Sequence, residues 1–181
     1  MRIISGKHKG RKFYPPNNLP TRPTTDFAKE GLFNVLENNF DLAEVSFLDL
    51  FMGTGSISYE FASRGCKYLV GVDQFLGCVK FVKGMIEKLS IEGMTVYQSD
   101  VVKFLDHKLS SFDIIFAGPP YAYEAIDMLP EIILSKGILN HDGWLILETS
   151  FKHAFETNPY LLQKRKYGDT IFHIFKGSKL K

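Results

Sequence analysis

From residue 45 onward the chain alternates two kinds of segment, and that alternation limits the fold more than any other feature. Short apolar runs, "VSFLDLF" (45–51), "YLVGV" (68–72), "MTVYQ" (94–98), "FDIIFA" (112–117) and "GWLILE" (143–148), are separated by helix-length stretches near 55–64, 75–90, 101–109 and 123–135. Strand alternating with helix predicts a mostly parallel, Rossmann-like sheet covered on both faces, because a parallel connection needs a crossover long enough to hold a helix. The closing "YLLQKRKYGDTIFHIFK" (160–176) departs from this and reads as two strands around a "YGDT" turn, an antiparallel hairpin added to the sheet. At the other end, 2–5 and 11–14 read as short β segments around "GKHKG", a small N-terminal hairpin, and "YPPNNLPTRP" (14–23) reads as an extended linker. Thr24 or Thr25 is placed to cap a helix with an apolar stripe of Phe27, Leu32, Phe33, Leu36 and Phe40. The expected organisation is a basic hairpin and linker over 1–23 and one α/β domain over 24–181, for which 181 residues supply an ample core.

Acids recur where these strands end. "FLDLFMGTGS" (47–56) is a strand, a glycine turn and a helix start: Gly53 and Gly55 permit close backbone approach to a ligand, and Ser56 can cap the helix. A dinucleotide fingerprint would carry a third glycine, but Ser58 stands there. Instead Asp49 precedes the turn, and a carboxylate there suits a ligand with a cationic amino-acid end better than a diphosphate. S-adenosylmethionine is such a ligand. Asp73 ends the second strand, placed to bind both ribose hydroxyls, and Asp100 follows the third, placed to accept from the adenine amine. Phe51, Gln74 and Val101, beside these acids, complete the candidate cofactor set.

The fourth strand runs into "AGPPYAY". Two prolines stiffen this loop. Gly118, Pro119, Pro120 and Tyr121 are the candidate catalytic residues. The Pro119 carbonyl is an acceptor, and Tyr121 offers an aromatic face for a base taken out of its stack. An exocyclic amine is a poor nucleophile, because its lone pair is delocalised into the ring. Acceptors on its two hydrogens turn that lone pair toward a methyl-sulfonium, which is positioning and electrostatics rather than covalent catalysis.

Charge is segregated. Residues 1–29 carry seven Lys/Arg against Asp26, and 161–181 carry six against Asp169, so a net charge of +2 hides a middle at −9. Basic ends on an acidic body suggest a polyanion held by the ends, with Arg2, Lys7, Lys9, Arg11 and Arg22 as candidate phosphate contacts. Cys66 and Cys78 form no CxxC pair and no evident metal cluster with the histidines, so they read as reduced core thiols and no metal is expected. No apolar run is long enough to span a bilayer, and "MRIISGKHKG" does not read as a signal peptide, which together point to a cytoplasmic protein. A chain of 20.6 kDa is expected to be a monomer.

At these motifs the chain resembles the RsmD family of bacterial methyltransferases, which methylate the exocyclic N2 of one guanine in small-subunit ribosomal RNA. "MRIISGKHKGRKF" looks like the family's basic opening, and "RPTTDFAKEGLFNVL" (22–36) is similar to its most characteristic segment. "DLFMGTGS" looks like its cofactor loop, with Met52 where a small residue is usual; "SRG" (63–65), "VDQ" (72–74) and "KRKYGDT" (164–170) also fit. The resemblance implies a class I methyltransferase fold, S-adenosylmethionine as donor, and the small ribosomal subunit or its RNA as partner. It also implies that the N-terminal hairpin touches RNA. The departure is Gly118, where the family has Asp. Losing one such transition-state hydrogen bond is expected to slow transfer by about 10²- to 10³-fold. Glu124 is the nearest downstream acid. Two alternatives remain open: an RNA- and cofactor-binding assembly protein with little catalysis, and a methyltransferase for another amino group.

Overall fold

The computed structural model describes residues 1–21, 24–107 and 109–178. Five strands, β1 (Ser46–Leu50), β2 (Tyr68–Asp73), β3 (Met94–Gln98), β4 (Phe112–Ala117) and β5 (Leu139–Thr149), lie parallel, and β6 (Leu161–Tyr167) with β7 (Thr170–Lys176) closes the sheet as an antiparallel hairpin. The strand order is β3-β2-β1-β4-β5-β7-β6. The helices are α1 (Asp26–Glu37), α2 (Ser56–Ser63), α3 (Leu76–Leu89), α4 (Val101–Leu105) and α5 (Leu129–Ser135).

Both faces of the sheet are buried, as the continuous apolar strands require. On one face Leu48, Val70, Ile115, Leu145 and Leu147 pack with Phe104 of α4 and with Leu129 and Ile133 of α5. On the other, Phe47, Ile114, Phe116 and Ile146 pack with Leu32, Phe33 and Leu36 of α1 and Phe61 of α2. The Phe47 and Phe61 rings stack at 3.8 Å, and burial of each such ring contributes roughly 2–3 kcal/mol.

Thr25, one of the two caps expected for α1, accepts from the Ala28 N–H at 3.2 Å. Other elements differ in detail from the sequence expectation. Phe27 lies one position off the Ala28–Leu32–Leu36 row and is 66% exposed. Among the described residues of 101–109 the helix is the five-residue α4. The stretch 123–135 opens with a 3₁₀ turn (Ile126–Met128) before α5, whose first turn holds Pro130, a residue that needs no helical N–H partner there.

The N-terminal segment folds back on itself but forms no strands. Ile3 N–H donates to the Arg11 carbonyl (3.0 Å), Gly10 N–H to the Ile3 carbonyl (2.8 Å) and Phe13 N–H to the Met1 carbonyl (3.1 Å), around a single Arg2–Lys12 bridge. Its hold is tertiary instead. Ile3 and Phe13 are buried, and Phe13 meets Tyr59 of α2 edge-on at 5.1 Å. Lys7 and His8 N–H groups donate to the carbonyl and Oγ of Ser63 at 2.7 and 2.9 Å. Gly6, at φ 79, approaches so closely that a Cβ there would lie 1.9 Å from the Ser63 carbonyl oxygen. Beneath the segment, the fully buried Lys29 donates to the Arg2 carbonyl (2.6 Å) and to Glu60 Oε1 (3.0 Å), which also accepts from the Ile4 N–H (2.8 Å). Arg64 bonds the other Glu60 oxygen, so this buried acid is paired on both sides.

Candidate active site

The C-terminal ends of the parallel strands open onto a cavity of about 480 Å³. It lies where the strand order reverses, between β1 and β4, the usual ligand crevice of an open α/β sheet. Asp49 pairs with Gly71 and Phe116, and Ala117 pairs with Leu147. Because side chains alternate along strands, Asp49, Asp73, the Cβ direction of Gly118, and Glu148 share one face. Asp49, Asp73, Asp100 and Glu148 all line the cavity, and among the described residues its lining contains no Lys, Arg or His.

Asp49 is 2% exposed and accepts from Ser58 Oγ at 2.5 Å. Burial pushes its carboxyl up to about 7, and the charges of Asp73 and Glu148 push the same way. Ser58, at the place of the missing third glycine, is thus part of the acid's support. Asp73 accepts from the Gly53 N–H (2.7 Å) and the Phe75 N–H (2.8 Å), one on each oxygen. Burial raises its pKa, and those two N–H groups partly oppose the rise. Asp100 caps α4, accepting from the Lys103 N–H at 3.1 Å, and lines the cavity with Phe51, Gln74 and Val101.

The turn after β1 is strained where it meets the cavity. Phe51 adopts φ 63 without being glycine, a conformation that costs on the order of 1–3 kcal/mol and clusters at functional sites. Its ring meets Tyr123 edge-on at 5.1 Å. Gly53 lines the cavity; Gly55 does not. Gly55 is itself the N-cap of α2, at φ 77, and a Cβ there would lie 2.7 Å from the Tyr59 ring. Ser56, expected as the cap, instead lines the cavity with its buried Oγ unpartnered. Met52 is accommodated by β2: its sulfur fills the space that a Cβ on Gly71 would enter, at 2.4 Å.

The loop after β4 brings Gly118, Pro119, Pro120 and Tyr121 to the same cavity, closed by a Tyr123 N–H bond to the Pro120 carbonyl at 2.8 Å. Glu124 is not on the lining. The acid that is there, Glu148, ends "GWLILE". It carries the same strand-end signal as Asp49, Asp73 and Asp100, which sequence reasoning left unused on this strand. Its Oε2 accepts from Thr24 Oγ1 at 2.6 Å. Leu19, Pro20 and Thr21 of the linker also line the cavity, a placement that no local pattern signals.

The basic candidates lie on the N-terminal segment. Lys7, Lys9 and Arg11 are exposed on its turn. The buried His8 has its pKa lowered by burial first and then by the charges of Lys7 and Arg11. Arg2 is engaged, its Nε donating to Asp26 at 2.9 Å. Arg22 lies outside the described residues, as do Lys179 and Lys181. On the C-terminal hairpin Lys164 pairs with Glu156 (2.9 Å) and Lys176 with Asp142 (3.0 Å). The N-terminal segment reaches the glycine turn after β1, since Thr54 Oγ1 donates to the Met1 sulfur at 3.6 Å and Thr54 lines the cavity. Cys66 and Cys78 are buried free thiols that burial pushes up to about 11.

A seven-stranded sheet of this order, with an acid-lined crevice and a Pro-Pro-Tyr loop at the end of β4, defines a class I, Rossmann-like methyltransferase fold. A solved protein titled "Putative methyltransferase yhhF from Escherichia coli" superposes with a TM-score of 0.82, covering 97% of both chains at 24% identity, a likeness that speaks for the fold. The profile of the family described as "Conserved hypothetical protein 95" matches residues 1–176, and the chain belongs to that family, the RsmD family. The chain is 33% identical to "Putative rRNA methyltransferase YlbH" of Bacillus subtilis (strain 168), over 97% of this chain and 98% of that one. It is 28% identical to "Ribosomal RNA small subunit methyltransferase D" of Buchnera aphidicola subsp. Baizongia pistaciae, over 92% and 86% respectively.

Proposed function

We propose that the protein methylates the exocyclic N2 amine of a guanine in small-subunit ribosomal RNA, with S-adenosylmethionine as donor. The observation that carries the donor assignment is the charge of the cavity: four carboxylates and no basic side chain among the described lining residues. Such a cavity repels a diphosphate and rewards a cation. Asp49, held near neutral pKa by burial, gains most from a cationic partner.

In this reading Asp49 holds the cationic amino-acid end of the donor. Asp73, its carboxylate already oriented by the Gly53 and Phe75 N–H groups, takes the ribose hydroxyls. Phe51, Gln74, Asp100 and Val101 take the adenine. The donor supplies a methyl group on a sulfonium. Pro119 accepts one amine hydrogen through its carbonyl, Pro120 fixes that carbonyl's direction, and Tyr121 supports the flipped base. Lys7, Lys9 and Arg11, exposed on the turn of the N-terminal segment, hold RNA phosphates, with Arg2 and Arg22 as further candidates.

The test is methyl transfer from labelled S-adenosylmethionine to small subunits lacking the modification, with calorimetric binding of the donor measured alongside. Label in N2-methylguanine supports the reading. Donor binding with label in no RNA favours the assembly-protein alternative, which the glycine at 118 keeps in play. Label in adenine or in protein points to another amine.

A further inference from the structure

None of the described residues lining the cavity comes from "DFAKEG" (26–31), the start of α1, or from "KRKYGDT" (164–170), where β6 turns into β7. The fold nevertheless brings these two motifs together at the cavity's rim. Glu148 and Thr149, at the end of β5, pair with Phe172 and Ile171, and one step further on Tyr167 pairs with Thr170. Tyr167 therefore stands on the same edge of the sheet as the strand ends that hold the cavity. Thr24 lines the cavity, and Phe27 follows it in the first turn of α1. Between the two motifs lies a second groove, of about 420 Å³, lined by Phe27, Glu30, Gly31, Asn34 and Asn38 on one side and Tyr167 on the other.

The groove has a specific construction. The Tyr167 ring lies against Gly31, where a Cβ would come within 2.1 Å of it. Glycine inside a helix weakens the helix, and here it admits the ring. Phe27 meets Tyr167 edge-on at 5.8 Å and is still 66% exposed, so its ring is an open platform of the kind on which any base can stack. Glu30 and Asn34, one turn apart on α1, add a carboxylate that accepts and an amide that both donates and accepts. These are groups that pair with the edge of an unstacked base. Arg165 pairs with Phe172, which packs on the α1 side of the sheet, so Arg165 shares that side with Tyr167. Its Nε donates to Gln163 Oε1 at 3.0 Å, which orients a guanidinium fork suited to a phosphate.

We propose that this groove binds an unpaired nucleotide of the RNA, a neighbour of the one that enters the cavity. Its base stacks on Phe27 with Tyr167 as the second wall, Glu30 and Asn34 pair with its edge, and Arg165 holds the adjoining phosphate. The inference rests on the RNA-methylation reading above. Charge and continuity single out RNA as the occupant. The groove continues the rim from Thr24, and Arg165 beside it belongs to the basic closing segment. Glu30 repels a phosphate from the groove itself and accepts from a base amine, so the base enters and the backbone stays at Arg165. Extruding a target base breaks its stacking. A neighbouring base held on Phe27 offsets part of that loss and fixes which nucleotide is presented.

The experiment compares wild type with Phe27→Ala, Phe27→Leu, Phe27→Trp and Arg165→Ala. Binding is measured to protein-free small-subunit RNA and to unmodified small subunits, with steady-state methylation of the subunits alongside. Phe27→Ala and Phe27→Leu are expected to weaken both kinds of binding by about 5-fold or more, one stacked base's worth, and the loss should fall on KM for subunits rather than on kcat. Phe27→Trp keeps a π face and is expected to bind at least as well as wild type, whereas a purely structural position would accept Leu as readily as Trp. Arg165→Ala is expected to shrink the slope of log affinity against log salt by about 1. Ultraviolet cross-linking of wild type to subunits, followed by peptide mapping, should join Phe27 or Tyr167 to a nucleotide. The inference is overturned, and the methylation reading kept, if wild type methylates RNA while Phe27→Leu binds and turns over equally well. It is overturned in favour of a ribosomal-protein contact if the Phe27 variants lose affinity for assembled subunits alone and neither ring cross-links to RNA. A wild type with no affinity for RNA and no methyl transfer sinks the reading and the inference together.

Discussion

Removing the charge from Asp49 is the sharpest test of how the cavity works before any ligand enters. Burial raises the carboxyl from 3.8 to about 7 in the folded protein. A carboxyl whose folded pKa is raised leaves stability intact below its unfolded pKa and costs stability as pH rises toward the folded value. Linkage gives a cost of about 1.7 kcal/mol at pH 5, rising to about 4 kcal/mol at pH 8. Asp49→Asn removes this slope while keeping an acceptor for Ser58. Urea unfolding of both proteins without ligand, at pH 5 and pH 8, reads it directly. The variant's stability relative to wild type should grow by about 2–3 kcal/mol between those pH values. A difference that stays flat with pH means that water or rearrangement already solvates Asp49, and the argument for a cation at this place fails. The same reasoning makes donor binding release a proton near pH 6.5, seen as a binding enthalpy that tracks the ionisation heat of the buffer, and Asp49→Asn should abolish that dependence.

Three further outcomes follow from other parts of the molecule. Replacing Lys7 and Lys9 together by Ala should weaken small-subunit RNA binding and shrink the slope of log affinity against log salt by about 1–2; an unchanged slope would remove both from the interface. Lys29→Met should cost about 3 kcal/mol in urea unfolding, because it strips a buried cation from Glu60 and the Arg2 carbonyl, and a loss under about 1 kcal/mol would show the network to be dispensable. Gly71→Ala should destabilise by about 1–3 kcal/mol through its clash with the Met52 sulfur. Combining it with Met52→Ala should show a coupling of about 1 kcal/mol or more, and strict additivity would refute the contact.

The sequence alone determined the layered α/β plan, because period and segment length are local properties: strand runs and crossover-length stretches can be read without knowing what they touch. It also marked Asp49, Asp73, Asp100 and the Pro-Pro-Tyr loop, since each sits at a strand end and strand ends gather on one rim of a parallel sheet. What it could not settle is anything that depends on register or on segments meeting across the chain. Ser56 has the chemistry of a cap, but Gly55 takes that position in a left-handed conformation. The opening segment has β-like composition, yet it is held by Ser63, Lys29 and Glu60 rather than by strand pairing. Glu148 lies thirty residues beyond Gly118 in the chain, and only the pairing of β4 with β5 brings its carboxylate to that glycine. Local chemistry reveals which groups a chain owns; the tertiary structure decides which of them share a volume.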